Sequence, residues 1–63
     1  MPESIRILIV DDHAVVRKGL AMVLRLEPDL EVIGEAENGR AGLEAAKKLN
    51  PDIVLVDLVM PEM

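Results

Sequence analysis

Five of the six residues in Ile5-Arg6-Ile7-Leu8-Ile9-Val10 are aliphatic, a run that predicts a strand covered on both faces rather than a half-exposed one. Asp11 and Asp12 end it. From about Ala14 to Leu26 the apolar residues change period, and Val16, Leu20, Val23 and Leu24 recur at helical spacing. On a wheel of ~100° per residue the apolar arc of this helix spans about 200°, twice the stripe of an ordinary surface helix. One sheet face cannot cover it. Arg17, Lys18 and Arg25 share the remaining arc with Ala21, and Arg17 and Lys18 are expected to be solvated charges. Gly19, inside the same helix, costs about 1 kcal/mol relative to Ala, which points to close packing.

Pro28 and Asp29 stop the helix, and Leu30 to Glu35 reads as a second strand whose two Glu and one Gly suit a sheet edge. Asn38 or Gly39 then caps a second helix, Arg40 to Leu49. After the break at Asn50-Pro51-Asp52, the apolar run Ile53-Val54-Leu55-Val56 is a third strand ending at Asp57, and Leu58 to Met63 is a loop carrying Pro61. This order predicts an α/β fold, a βαβαβ unit with a parallel sheet and right-handed crossovers. The first and third strands are the most apolar, so the expected sheet order is 2-1-3. Ligands of such sheets bind outside the carboxyl ends of strands at the switch point, where Asp11, Asp12 and Asp57 fall.

Composition sharpens this picture. The chain has 63 residues, 51% of them hydrophobic, with no Cys, Phe, Trp or Tyr. A domain so short buries only about 60% of its unfolded surface, and its core must be aliphatic. Such a hydrophobic surplus suggests association or membership of something larger. Twelve acidic residues oppose seven scattered basic ones, for a net charge of -5, which argues against direct nucleic-acid binding. No apolar stretch approaches the ~20 residues of a membrane span, no export signal is visible, and a cytoplasmic location is expected. Thr is absent, Ser4 is the only Ser and His13 the only His, so carboxylates must carry any chemistry.

Each aspartate alone could be a turn or cap residue. Together, three carboxylates at neighbouring strand ends repel one another unless a cation neutralises them, and an all-oxygen set favours Mg²⁺. A metal beside an available carboxylate suits phosphoryl transfer to that carboxylate. His13 beside the pair is expected to pack or cap rather than to bind metal.

The stretches ILIVDDHAVVRKGL, EVIGEAENGRAGLEAA and PDIVLVDLVMPEM closely resemble the N-terminal part of bacterial response-regulator receiver domains. The subfamily resembled is the one whose receivers precede a LuxR/NarL/FixJ-type helix-turn-helix domain. This resemblance implies a flavodoxin-like fold, Asp57 as phosphoacceptor, and Mg²⁺ held by Asp11, Asp12, Asp57 and the main-chain carbonyl of Val59. Met60-Pro61 matches the turn after the phosphorylated strand. It further implies a sensor histidine kinase as partner, a role in transcription control for the intact parent, and a relay module rather than a turnover enzyme.

A complete receiver is roughly twice this length, and its second half supplies the hydroxyl and Lys that contact the phosphoryl group. Residues 1–63 are therefore expected to form a partial receiver, truncated after the phosphoacceptor strand. Mg²⁺ binding should be weak and phosphorylation slow or absent, with the sheet completed by self-association through strand 53–57 and helix 14–26. An alternative is a structural or engineered half-domain that assembles without signalling. A remoter one is an Asp-nucleophile phosphatase resembling haloacid dehalogenases, although those carry Asp-x-Asp after the first strand and this chain carries an adjacent pair.

Overall fold

The computed structural model describes residues 4–57, in the order β1 (Ile5–Asp11), α1 (Ala14–Arg25), β2 (Leu30–Ala36), α2 (Gly39–Leu49) and β3 (Ile53–Asp57). The three strands form one parallel sheet in the order β2-β1-β3, as the apolar pattern predicts. The expected loop 58–63, with Val59, Met60 and Pro61, lies outside the described residues.

Alternation along β1 builds two aliphatic layers. Ile7 and Ile9 point to α1, where Ala21 is buried against them and Leu20, Leu24, Leu30 and Val32 close the cluster. Leu8 and Val10 point to α2 and meet Ala36, Ala41, Ala45 and Ala46. Leu8 and Ile9 are fully buried, and covering one such side chain is worth about 1.5–3 kcal/mol. Alanines on α2 bring that helix close to the sheet, and Gly42 brings it closest. A Cβ at Gly42 would stand 2.7 Å from Val10 Cγ2, and one at Gly34 would stand 2.8 Å from Leu49 Cδ1.

The expected close packing at Gly19 is not found. A Cβ there would meet nothing within 4 Å, because Gly19 lies on the part of α1 turned away from the sheet. Most of the over-wide apolar arc lies there too, leaving Val15, Met22, Val23 and Leu26 exposed.

Both helices pack over β1 and β2. All five residues of β3 are exposed, and an apolar groove between α2 and β3 is walled by Leu43, Ala46, Val54 and Val56. Pairing of β1 with β2 runs Ile5↔Leu30, Arg6↔Glu31 and Ile7↔Val32, then resumes at Leu8↔Gly34, so that Ile33 is an extra residue in the edge strand.

Asn38 caps α2, its Oδ1 accepting from the Ala41 N–H at 2.8 Å. Asn50 ends the helix in the left-handed region (φ 54°). There Arg6, the one basic residue in β1, donates to the carbonyls of Leu49 and Asn50, both at 2.8 Å. A cation on these last carbonyls satisfies orphan acceptors and complements the helix dipole. The Arg6 main chain exchanges two bonds with Asp52, N–H to Oδ2 and C=O from N–H, each 2.9 Å, fixing where β3 begins.

Candidate functional site

At the carboxyl edge of the sheet, β1 and β3 finish level, with Asp11 and Asp57 paired in register. Asp11 is the last residue of β1 and is wholly buried, the sole buried charged residue among those described. Its Oδ1 accepts the His13 N–H at 2.8 Å, a local turn that lets the chain leave the strand and enter α1. Its Oδ2 is buried with no hydrogen-bond partner. Such an orphan costs about 1–3 kcal/mol, more for a charged group, and in a native fold it asks for a ligand.

Asp12 follows on the exposed bend, its Oδ1 2.9 Å from His13 Nδ1. His13 Nδ1 also lies 3.7 Å from Asp11 Oδ1. Asp11, Asp12 and His13 each offer a ligand atom, all within 4.8 Å of one another. Asp57 is exposed and stands outside that group of three, adjacent through strand register alone. The expected packing or capping role of His13 needs correcting. It occupies the N-cap position of α1, yet its side chain makes no capping bond and turns instead to the two acids.

Arg17 also departs from expectation. Rather than being solvated, its side chain is only 14% exposed. One nitrogen, Nη1, donates to the Asp11 main-chain carbonyl at 2.8 Å, and Nε donates to Glu35 Oε1 at 3.3 Å. The helix rotates this way because Ala21, the small residue beside Arg17 on the wheel, is what fits against Ile7 and Ile9. Glu35 also receives Lys18 (3.1 Å) and, at longer range, Arg25 (3.8 Å). Partial burial pushes the Glu35 carboxyl upward, but the hydrogen bonds and positive charges of Lys18 and then Arg17 outweigh it and hold the group below the usual carboxylate range. Lys18 itself remains largely exposed.

Sequence reasoning expected Asp11, Asp12 and Asp57 at the carboxyl ends of β1 and β3, which is where they lie. It missed Arg17 and Glu35, whose meeting depends on the pairing of Ile9 with Glu35 across the sheet.

Similarity to known proteins covers nearly the whole chain. The response regulator receiver domain family matches residues 7–63. The chain is 54% identical over 59 residues to the transcriptional regulatory protein LiaR of Bacillus subtilis, covering 94% of this chain and 28% of LiaR. It is 46% identical over 61 residues to the nitrate/nitrite response regulator NarL of Escherichia coli K12, covering 97% and 28%. A protein-glutamate methylesterase/protein-glutamine glutaminase of Methanosarcina barkeri is 55% identical over 58 residues, covering 92% and 16%. Among solved structures, the signal receiver domain of NarL from Mycobacterium tuberculosis superposes with a TM-score of 0.87 at 42% identity, over 98% of this chain and 50% of that one. The chain thus spans little more than a quarter of the two regulators and half of the solved receiver.

Proposed function

Because the chain belongs to the response regulator receiver domain family, we propose that Asp57 is a phosphoacceptor and that Asp11 and Asp12 hold the divalent cation the transfer requires. The observation that carries this reading is the buried, unpartnered Oδ2 of Asp11, at a strand end in register with Asp57. The donor set fits a hard cation. Two adjacent carboxylates and a third across the strand pair supply oxygens, and His13 Nδ1 is engaged with Asp12. Val59, assigned the remaining carbonyl ligand, completes the proposed set.

Magnesium, when bound, supplies charge neutralisation for the phosphoryl oxygens. The chain's own part is positional. An Asp57 carboxylate oxygen attacks the phosphorus of a phosphohistidine on a sensor histidine kinase. The O–P bond forms, the P–N bond breaks, and the departing imidazole takes a proton from solvent. Asp11, pinned through Oδ1 and its main-chain oxygen, fixes one wall of the site.

The hydroxyl and ammonium that would meet the transferred phosphoryl group are not supplied by the described residues 4–57. Thr is absent from the sequence and Ser4 precedes β1 at the end opposite Asp11, Lys18 faces Glu35, and Lys47 and Lys48 lie in the last turn of α2. Losing one preorganised donor costs about 10²–10³ in rate in well-studied sites, so residues 1–63 taken alone are expected to be phosphorylated slowly. The chain acts as a relay, in the cytoplasm and away from DNA, whose output in a longer parent is control of transcription. Treatment with acetyl phosphate and Mg²⁺, read by intact mass, tests this. Slow, Mg²⁺-dependent addition of one phosphoryl group that disappears in Asp57→Asn is the expected result, and addition that persists in Asp57→Asn refutes it.

A second reading concerns assembly. Exposed β3 and the apolar residues Val15, Met22 and Val23 of α1, with Leu26 at its C-cap, favour self-association of this chain through residues 53–57 and 14–26, since an unpaired apolar edge is a template for another strand. Sedimentation across a concentration series should show a dimer dissociating on dilution. A folded monomer at every concentration removes this reading.

A further inference from the structure

Asp11 is held from two directions. Its Oδ1 is bound to the His13 N–H, and its main-chain oxygen accepts from Arg17 Nη1. What makes the second contact unusual is the choice of acceptor. A guanidinium beside an acidic cluster gains most by pairing with a carboxylate, yet Arg17 spends Nη1 on a neutral carbonyl while its charge is met by Glu35 on the far strand. With Arg17 and Glu35 only 14% and 17% exposed, neither is free to swing through solvent.

We propose that Arg17 is a positioning residue for the cation site: through the Asp11 main-chain oxygen it fixes the turn that leaves Asp11 Oδ2 free, while Glu35 keeps the guanidinium from serving as the acids' counterion. The proposal rests on the metal-binding reading above. Arg is suited to this and Lys is not, because the rigid guanidinium fork reaches two acceptors at once. The strut therefore runs from the edge strand, through α1, to the strand end that carries the ligand.

Two effects of removing Arg17 have opposite signs, which makes the test decisive. If Arg17 were merely a nearby positive charge, deleting it would tighten Mg²⁺ binding, since like charges repel. As a positioning residue, deleting it must weaken binding. Mg²⁺ alone is titrated into the 63-residue chain and into Arg17→Met and Arg17→Lys, following backbone amide shifts by NMR. Wild type should respond at Asp11 to His13. Both variants should keep the dispersed signals of Ile7, Ile9 and Ala21 and bind Mg²⁺ about tenfold more weakly, the lower end of the usual cost of losing a residue that orients a metal ligand.

Equal or tighter binding by Arg17→Met overturns the proposal. So does wild-type affinity in Arg17→Lys, which keeps the charge and loses the fork. Unfolding of both variants also overturns it, making Arg17 a fold anchor. A wild-type chain with no response at Asp11 to His13 is a different result, because it removes the metal-binding reading itself and the inference with it.

Discussion

Gly19 and Gly42 sit inside helices, both with ordinary negative φ, and the same substitution should move stability in opposite directions at the two. At Gly19 an added methyl meets nothing within 4 Å, so Gly19→Ala gains the helix propensity difference of about 1 kcal/mol. At Gly42 the same gain is opposed by Val10, whose Cγ2 and Cγ1 would lie 2.7 and 3.1 Å from the new Cβ. Val10 cannot retreat. It is buried in the central strand, paired on both sides, and β-branched, hence stiff at χ1. Overpacking of this kind costs about 1–3 kcal/mol, so Gly42→Ala should lose about 1 kcal/mol net. In a chain this small, 1 kcal/mol shifts the thermal midpoint by about 4–8 °C. Urea denaturation followed by far-UV circular dichroism, at one fixed protein concentration because association would alter apparent stability, measures both. Val10→Ala in the Gly42→Ala background should recover part of the loss, a coupling of about 1 kcal/mol or more. Gly42→Ala raising the midpoint as much as Gly19→Ala would refute the close approach of α2 to β1.

Three further outcomes are expected. Replacing Arg6 by Met removes the donors to the Leu49 and Asn50 carbonyls and should cost about 2 kcal/mol, within the range for hydrogen bonds to charged groups, with hydrogen exchange rising first in the last turn of α2. Asp11→Asn removes a buried charge whose Oδ2 has no hydrogen-bond partner and should stabilise the metal-free chain by about 1 kcal/mol while abolishing any Mg²⁺-dependent rise in melting temperature. For pH, the folded Glu35 carboxyl lies below its unfolded value, so its contribution is whole above the ordinary Glu pKa of about 4.3 and is lost as pH falls through and below it; Glu35→Gln should flatten that acid limb of the midpoint-against-pH curve.

Where the chain could be read directly, it was read by apolar run length. Four consecutive aliphatics in each marked β1 and β3 as neighbours, and the Glu and Gly of β2 placed it at the edge, which is the observed order. Element ends followed from Asn38, Asn50 and the prolines. The three aspartates were legible because strand ends follow from strands. Arg17 was not, because a helical wheel ranks residues by polarity whereas α1 is seated by size, with Ala21 drawing the neighbouring Arg inward. For Gly19 the propensity argument identified a cost but not a contact, and the tight contacts fall at Gly34 and Gly42. The capping work of Arg6 was hidden for another reason. Its partners lie more than 40 residues away, at a helix end that sequence spacing cannot bring to β1.

The extra residue in β2 has a consequence for chemistry at a distance. In a strand, facing is a matter of parity, and a surplus of one flips every position after it. Were the pairing continuous beyond Ile7↔Val32, Gly34 would come level with Ile9 and Glu35 with Val10, on the α2 side. With Ile33 inserted, Glu35 stands opposite Ile9 on the α1 side, where Arg17, Lys18 and Arg25 reach it. Ile33 thus works as a phase shifter: a hydrophobic residue that contributes no charge decides which layer of the domain receives one.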